Sequence, residues 1–282
     1  LPLILETDEA FNTFQDIEIE DLLVTNIDKD HLDYFGSFEN LVNAFRKVIL
    51  SVKRNLVLNY DDENIKDLMI ENKHVVYSSK EEADYKIIYP NKFINNDTEY
   101  EIMTNLIGSH FISNITGAIA IAALNGIEIS NSLDAIKSFP GVNRRTEFLG
   151  SVKGIKVYDD YGHHPTEIKA TISALNEIKK GRLFVIFQPH RYTRTKENFD
   201  EFKKELTYAD FSIVVDIYPA GEKPIPGVSS RNFENANIKY LKSMRMIPSY
   251  LSTRIKEDDI VLTLGAGDIT LLGPQILKYL DE

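Results

Sequence analysis

The sequence predicts an α/β protein of two domains, each built on a mostly parallel sheet, the second of them Rossmann-like. Short apolar runs that are continuous rather than alternating recur between stretches of helical spacing, the pattern of buried parallel strands and crossover helices. Several of these runs end in polar loops rich in His, Arg, Asp or Glu. The chain has 282 residues, 43% hydrophobic and 27% charged, which is enough for two domains with cores of their own.

Taken in order, Leu3–Leu5 is an apolar run closed by Glu6-Thr7-Asp8-Glu9. A second run, Leu22–Val24, ends at Thr25-Asn-Ile-Asp-Lys-Asp-His-Leu-Asp33. Both read as buried parallel strands finishing in acidic residues. Phe38, Leu41, Val42, Phe45, Val48, Ile49 and Val52 follow helical spacing, with Ser37 as the cap. Short strands then alternate with polar turns at Leu56–Leu58, His74–Tyr77, Lys86–Tyr89 and Tyr100–Met103. A helix is expected from near Asn114 to Gly126, and another, capped by Ser130, to near Phe139. The turn Pro140–Glu147 is the expected boundary, placing residues 1–147 in one domain and 148–282 in the other.

From Gly150 the pattern is β-α-β-α-β. Gly154–Tyr158 leads into Asp159-Asp160-Tyr161-Gly162-His163-His164-Pro165, with Pro165 suited to a first helical position. Leu183–Phe187 ends in Gln188-Pro-His-Arg-Tyr-Thr-Arg-Thr195, Phe211–Val215 in Asp216–Glu222, and Ile260–Leu264 in Gly265-Ala-Gly-Asp268. If these strands are parallel, all four loops meet on one sheet edge, where open α/β sheets bind ligands.

Composition narrows the chemistry. A net charge of −11 argues against a nucleic-acid backbone or an anionic membrane as the main partner, so an anionic ligand would need a local basic cluster. Five of six histidines (His31, His110, His163, His164, His190) and four of ten arginines (Arg144, Arg145, Arg191, Arg194) fall in or beside strand-end loops. Arginine grips carboxylate and phosphate bidentately, which suits that need. His74, in a plain strand, reads as structural. Cysteine is absent, which excludes disulfides and thiolate metal sites and fits the cytoplasm. No apolar run approaches the ~20 residues of a membrane span. The chain opens without methionine or a basic signal-peptide head, in the middle of an expected strand, and is expected to be part of a longer protein.

Carboxylates at adjacent parallel strand ends are where Mg²⁺ sits beside nucleotide phosphates, which singles out Glu9 and, less usually for magnesium, His31. Asp30 and Asp33 compete for the same role. Gly265-Ala-Gly267 is too short for a dinucleotide fingerprint and reads as a tight turn bringing backbone near a ligand. No glycine begins G-x-x-x-x-G-K-[ST], so the sequence holds no phosphate-cradling P-loop.

Three segments, Tyr158–Glu167, Gln188–Thr195 and Thr25–Asp33, resemble the Mur ligases of peptidoglycan synthesis. Glu6–Glu9, Gly108-Ser-His110, Asn114, Gly141–Arg145 and Leu264–Asp268 follow in the family's order, so the resemblance covers essentially the whole chain. It implies an ATPase-type central domain and a C-terminal amino-acid domain, with the N-terminal UDP-sugar domain and the P-loop missing. It implies an ATP-dependent ligase acting on UDP-N-acetylmuramate and L-alanine through an acyl phosphate, and a fragment inactive alone. A recycling ligase that attaches a whole tripeptide shares the layout but tends to lack Tyr-Gly before His-His, so Tyr161-Gly162 favour L-alanine. A non-catalytic nucleotide- or peptide-binding module is the remaining alternative.

By the same resemblance, Glu9 and His31 match the magnesium ligands, and His110 and Asn114 the adenine contacts. Arg144 and Arg145 match hinge arginines near the phosphates, and Asp159 or Asp160 would lie by ribose and phosphates. Tyr161, His163, His190, Arg191 and Arg194 would line the amino-acid site. The two arginines would grip the substrate carboxylate, helped by a helix amino end expected near Thr195. Residues 10–13, Ala-Phe-Asn-Thr, depart from the family's usual Ser-Asp continuation.

Overall fold

A computed structural model describes residues 3–7, 9–68, 70–71 and 73–282, and in helices all side chains but those of Phe11 and Asp33. Asp8 and the side chain of Asp33, named above, therefore lie outside the described residues. The chain divides into two compact units, Leu1–Asn105 with Ser109–Phe139 and Leu106–Gly108 with Pro140–Glu282.

In the first unit six strands form one sheet in chain order. β1 (Asp21–Val24), β2 (Asn55–Asn59), β3 (Val75–Ser78) and β4 (Tyr85–Ile88) are parallel. β5 (Lys92–Asn95) and β6 (Thr98–Glu101) continue the sheet as an antiparallel hairpin. Asn96 and Asp97 turn the hairpin with φ of 47° and 60°, left-handed values these side chains tolerate. β5 carries no buried-strand signature in its Lys-Phe-Ile-Asn sequence, and only pairing reveals it. α1 (Leu32–Phe35) follows β1, and α2 (Phe38–Ser51) begins where Ser37 Oγ accepts the Asn40 N–H at 3.2 Å. Ile49 of α2, Leu56 and Leu58 of β2, and Ile65 of α3 (Glu63–Lys66) share one core. α4 (Ser109–Leu124) packs on strands β1 to β4. A Cβ at its Gly117 would sit 2.9 Å from the Tyr77 ring and 3.0 Å from Leu23, so glycine permits this close approach.

Three expectations change here. Leu3–Leu5 is no strand: its residues are 88%, 91% and 57% exposed, and β1 pairs only with β2 among the described residues. An apolar tripeptide becomes a strand only where a neighbouring backbone takes its hydrogen bonds. α4 begins at Ser109, five residues earlier than expected, directly after Gly108 turns the chain at φ 117°. Ser130 lies inside α5 (Ile129–Ser138), because Glu128 holds the extended backbone of the cap position.

The second unit contains β7 (Glu147–Val152), β8 (Ile155–Asp160), β9 (Leu183–Phe187), β10 (Phe211–Val214), β11 (Ile238–Tyr240) and β12 (Ile260–Leu264). Their order is β11-β10-β9-β12-β8-β7, parallel throughout except β7 against β8. Alternate residues of β9 feed two cores. Leu183, Val185 and Phe187 pack with Ile168 and Ile172 of α6 (Pro165–Ile178) and with Phe202 of α8 (Phe199–Leu206); α7 (Tyr192–Glu197) precedes α8. Phe184 and Ile186 pack with Leu251 of α9 (Ile247–Ser252) and Ile276 of α10 (Leu272–Asp281). This is a doubly wound sheet. Leu264 lies level with both Asp160 and Phe187, and Phe187 with Val214, so four strands end on one edge.

Candidate active site

The first unit carries four of the predicted site residues. α4 is buried over most of its length, but His110 and Ala118 flank an exposed Asn114 at intervals of one helical turn. A histidine and an amide on one helix face can meet a planar heterocycle by stacking and hydrogen bonding. Glu9 lies at the amino cap of a 3-10 segment, Ala10–Asp16, rather than at a strand end, because Leu3–Leu5 forms no strand. His31 caps α1 with left-handed backbone (φ 53°), and both capped segments pack against α2. His31 Nε2 lies 3.9 Å from Asp30 Oδ2, and its backbone N–H donates to Asp30 Oδ1 at 2.8 Å. Among the described residues no three His, Asp or Glu converge as a metal cage. A sparse donor set suits Mg²⁺, which takes one or two protein ligands and completes its shell with phosphate and water. His74 is structural, with Nε2 2.8 Å from the Tyr60 hydroxyl.

The second unit brings the remaining predicted residues to the carboxyl edge of its sheet. Arg144 (φ 60°) donates from Nε to Asp159 Oδ2 at 3.3 Å and from a terminal nitrogen to the Gly265 carbonyl at 2.5 Å. The glycine turn therefore presents carbonyls to an arginine of its own chain. At Gly265 (φ 143°) a Cβ would meet the Gln188 carbonyl oxygen at 2.6 Å, so the turn needs glycine. Asp159 also accepts the Thr263 hydroxyl at 2.5 Å and the Thr270 hydroxyl at 2.8 Å. Asp160 accepts the Thr146 and Gly162 backbone N–H groups, each at 2.7 Å, and burial pushes its carboxyl above the usual range. Both carboxylates are buried with each oxygen already accepting an internal donor, so their direct work is to fix Arg144 and the Tyr161–His164 loop. The Arg144 and Arg145 guanidiniums lie 4.8 and 5.5 Å from the Tyr161 ring centre, a cation–π arrangement.

His163 Nδ1 lies 3.1 Å from the Tyr161 carbonyl oxygen and 3.5 Å from Glu167 Oε2. Glu167 Oε2 also accepts the backbone N–H groups of His163 (2.9 Å) and His164 (3.1 Å), closing the start of α6. Burial acts to raise the Glu167 carboxyl, but His163, its backbone donor and Arg145 hold it below the usual range. The His190 ring stacks on Tyr218 at 5.4 Å and lies 5.9 Å from the His163 ring. Burial, then His163, Arg194 and Arg191, push His190 down to about 4.

The amino end of α7 departs from expectation. The helix begins at Tyr192, and its first N–H groups are taken by the chain's own carboxylate, Glu222. Glu222 accepts the Tyr192 N–H (2.6 Å), the Thr193 N–H (3.0 Å), the Thr193 hydroxyl (2.6 Å) and Arg191 Nε (2.7 Å). Arg194 lies within this helix, one turn on from Arg191. Sequence reasoning assigned no role to Glu167, Glu222 or Tyr218. The spacing of Glu167 three residues after His164 is a capping-box signal that could have found it. Glu222 lies 31 residues from Arg191, and no local pattern links the two.

Residues 11–122 match the Mur ligase middle domain, and residues 144–267 match the Mur ligase glutamate ligase domain. The chain belongs to the Mur ligase family. Among curated Mur ligases, the UDP-N-acetylmuramate–L-alanine ligase of Geotalea daltonii is 37% identical over 300 residues, covering 99% of this chain and 66% of that protein. The enzyme of the same name from Syntrophus aciditrophicus is 36% identical over 301 residues, covering 99% and 62%. The chain thus spans 62% and 66% of these two relatives. The fold is that of solved Mur ligases. The UDP-N-acetylmuramate-alanine ligase of Thermotoga maritima has a TM-score of 0.77 at 23% identity, over 96% of this chain and 62% of that one. The MurF ligase of the same organism, in complex with ADP, has a TM-score of 0.73 at 20% identity, over 94% and 62%.

Proposed function

We propose that this chain is the nucleotide and amino-acid part of an ATP-dependent ligase joining L-alanine to the carboxylate of UDP-N-acetylmuramate in peptidoglycan synthesis. The observation that carries the reading is the 36–37% identity, over 99% of the chain, to ligases named for this reaction. Residues 1–147 serve ATP and residues 148–282 the amino acid. The UDP-sugar site and the lysine of a P-loop lie outside these residues, since the sequence has no such motif. The enzyme works in the cytoplasm, where ATP is at hand; no described helix is long and apolar enough to cross a membrane.

Phosphoryl transfer depends on positioning and neutralised charge, with Mg²⁺ bridging phosphate oxygens when bound. Glu9 and His31 hold that ion, and His110 and Asn114 meet the adenine. Arg144 and Arg145 supply cationic charge beside the phosphates, with Arg144 braced by Asp159 at 3.3 Å. Arg191 and Arg194 grip the α-carboxylate of L-alanine, and Tyr161, His163 and His190 line its amine. The amine then attacks the acyl phosphate carbon through a tetrahedral intermediate, releasing phosphate.

The test is steady-state turnover by the complete enzyme with ATP and UDP-N-acetylmuramate, supplying L-alanine or a tripeptide as acceptor. Alanine-dependent release of phosphate, with alanylated product, is expected. Turnover with the tripeptide alone would assign the chain to peptide recycling. ATP binding without turnover of either would leave it a binding module. A Mg²⁺ titration completes the test: Glu9→Ala and His31→Ala should each raise the magnesium requirement at least several-fold without altering the fold. Wild-type curves for both variants would move the metal site elsewhere.

A further inference from the structure

We infer that the two histidines divide the work of amide formation: His163 accepts the ammonium proton on Nε2, and His190 donates a hydrogen bond from Nε2 to a substrate oxygen. The inference rests on the ligase reading and deepens it. Its basis is the placement of the hydrogen on each ring.

Carbonyl and carboxylate oxygens only accept, and His163 Nδ1 faces the Tyr161 carbonyl at 3.1 Å with Glu167 Oε2 at 3.5 Å. Nδ1 therefore carries the hydrogen, and in the neutral ring the lone pair is on Nε2. Glu167 is itself held by two backbone N–H groups and by Arg145 at 3.2 Å. It fixes the ring and stands behind it, so an imidazolium formed by proton uptake faces a carboxylate.

His190 has the opposite arrangement. Its Nδ1 is buried and meets no hydrogen-bond partner. Orphaned buried N–H groups are rarer than under-satisfied acceptors, so the lone pair belongs on Nδ1 and the hydrogen on Nε2. Charging the ring would add that orphan N–H beside His163, Arg191 and Arg194, with only Glu222 in opposition. Stacked on Tyr218, His190 is an uncharged donor at neutral pH, matched to a carboxylate or acyl oxygen and unsuited to an ammonium. The rings are 5.9 Å apart, a gap that an α-amino acid spans with its amine toward one and an oxygen toward the other.

The step balances. The ammonium gives one proton to His163 Nε2, the freed lone pair forms the C–N bond, and the acyl C–O bond breaks toward phosphate. The leaving phosphate takes the second amine proton, and His163 later releases the first to water.

The test has two arms. Nitrogen-15 NMR of the histidine-labelled protein, with His163→Gln and His190→Gln to assign resonances, should find the Nδ1–H form at His163. It should find a neutral Nε2–H form at His190 from pH 8 down to ~5, well above its value of about 4. In turnover, His190→Ala should raise the L-alanine KM ~10–100-fold, and His190→Gln, whose amide N–H reproduces the Nε2 donor, should recover most of that. His163→Gln, able to hydrogen-bond but not to take a proton, should lower kcat ~10²–10⁴-fold and remove the acidic limb of its pH profile. A hydrogen on His190 Nδ1, a charged His190 at neutral pH, or an acidic limb lost with His190 and kept without His163 would overturn the inference. A wild-type enzyme that forms the two rings as stated yet turns over no L-alanine fails the ligase reading instead.

Discussion

Gly267 shows how much of the site depends on a missing side chain. A Cβ there would lie 2.3 Å from Gln188 Oε1 and 2.7 Å from Tyr218 Cγ, so Tyr218 and the stacked His190 owe their place to glycine. Gly267→Ala should destabilise the protein by ~1–3 kcal/mol through overpacking and raise the L-alanine KM as the ring shifts. Urea midpoints and steady-state kinetics check the two effects, and unchanged values for both would show that the loop yields freely. His190 also links the site to acid stability. Its folded value, about 4, lies below the ordinary 6.5, so the unfolded chain binds the extra proton between them. Stability from this group is complete above 6.5 and is lost as pH falls toward about 4. His190→Gln should flatten the fall in the urea midpoint across that window, and an unaltered slope would assign the acid sensitivity to other groups.

At the scale of elements, α7 is organised by a residue from another loop. Four donors converge on Glu222, among them Arg191 Nε at 2.7 Å, and they hold its carboxyl below the usual range although burial acts to raise it. Glu222→Gln keeps the shape but puts an amide where an oxygen accepts, at a cost of ~1.5–3 kcal/mol for a charge-assisted bond. With Arg191 released, the L-alanine KM should rise ~10–150-fold, as it should for Arg191→Ala or Arg194→Ala, while the ATP KM moves far less. A rise confined to the ATP KM would mean that these arginines serve phosphate. The sequence announces the strand, the arginines and a following helix here. It does not announce where the helix starts, because the capping carboxylate is remote in sequence.

Across the whole molecule, each unit has its own core, one around Leu58 and Ile49, the other on both faces of β9 and β12. Leu58→Ala and Leu262→Ala each empty a fully buried position and should cost ~2–5 kcal/mol. Each should shift its own unfolding transition in calorimetry, since cores that are separate melt as separate units. One transition moved equally by both would mean that the two unfold together. The net charge of −11 and the arginine-rich edge of the second sheet coexist for a related reason: a ligand feels the charges within about a Debye length, ~8–10 Å, more than the sum over the chain.

What the sequence determined by itself was local. Continuous apolar runs marked the strands of the second sheet, helical spacing marked α2 and α6, and three long motifs marked the family and the residues worth testing. Such signals reach a few residues along the chain, because helix faces and strand pleats repeat every three to four or two residues. Tertiary structure decided the rest. It inserted β12 between β8 and β9, left Leu3–Leu5 without a ladder, aimed the Gly265 carbonyl at Arg144 and brought Glu222 to α7. It also put an acceptor beside His163 Nδ1 and none beside His190 Nδ1. Two histidines in similar strand-end loops are alike as letters; which nitrogen holds the hydrogen depends on neighbours that only the folded chain supplies.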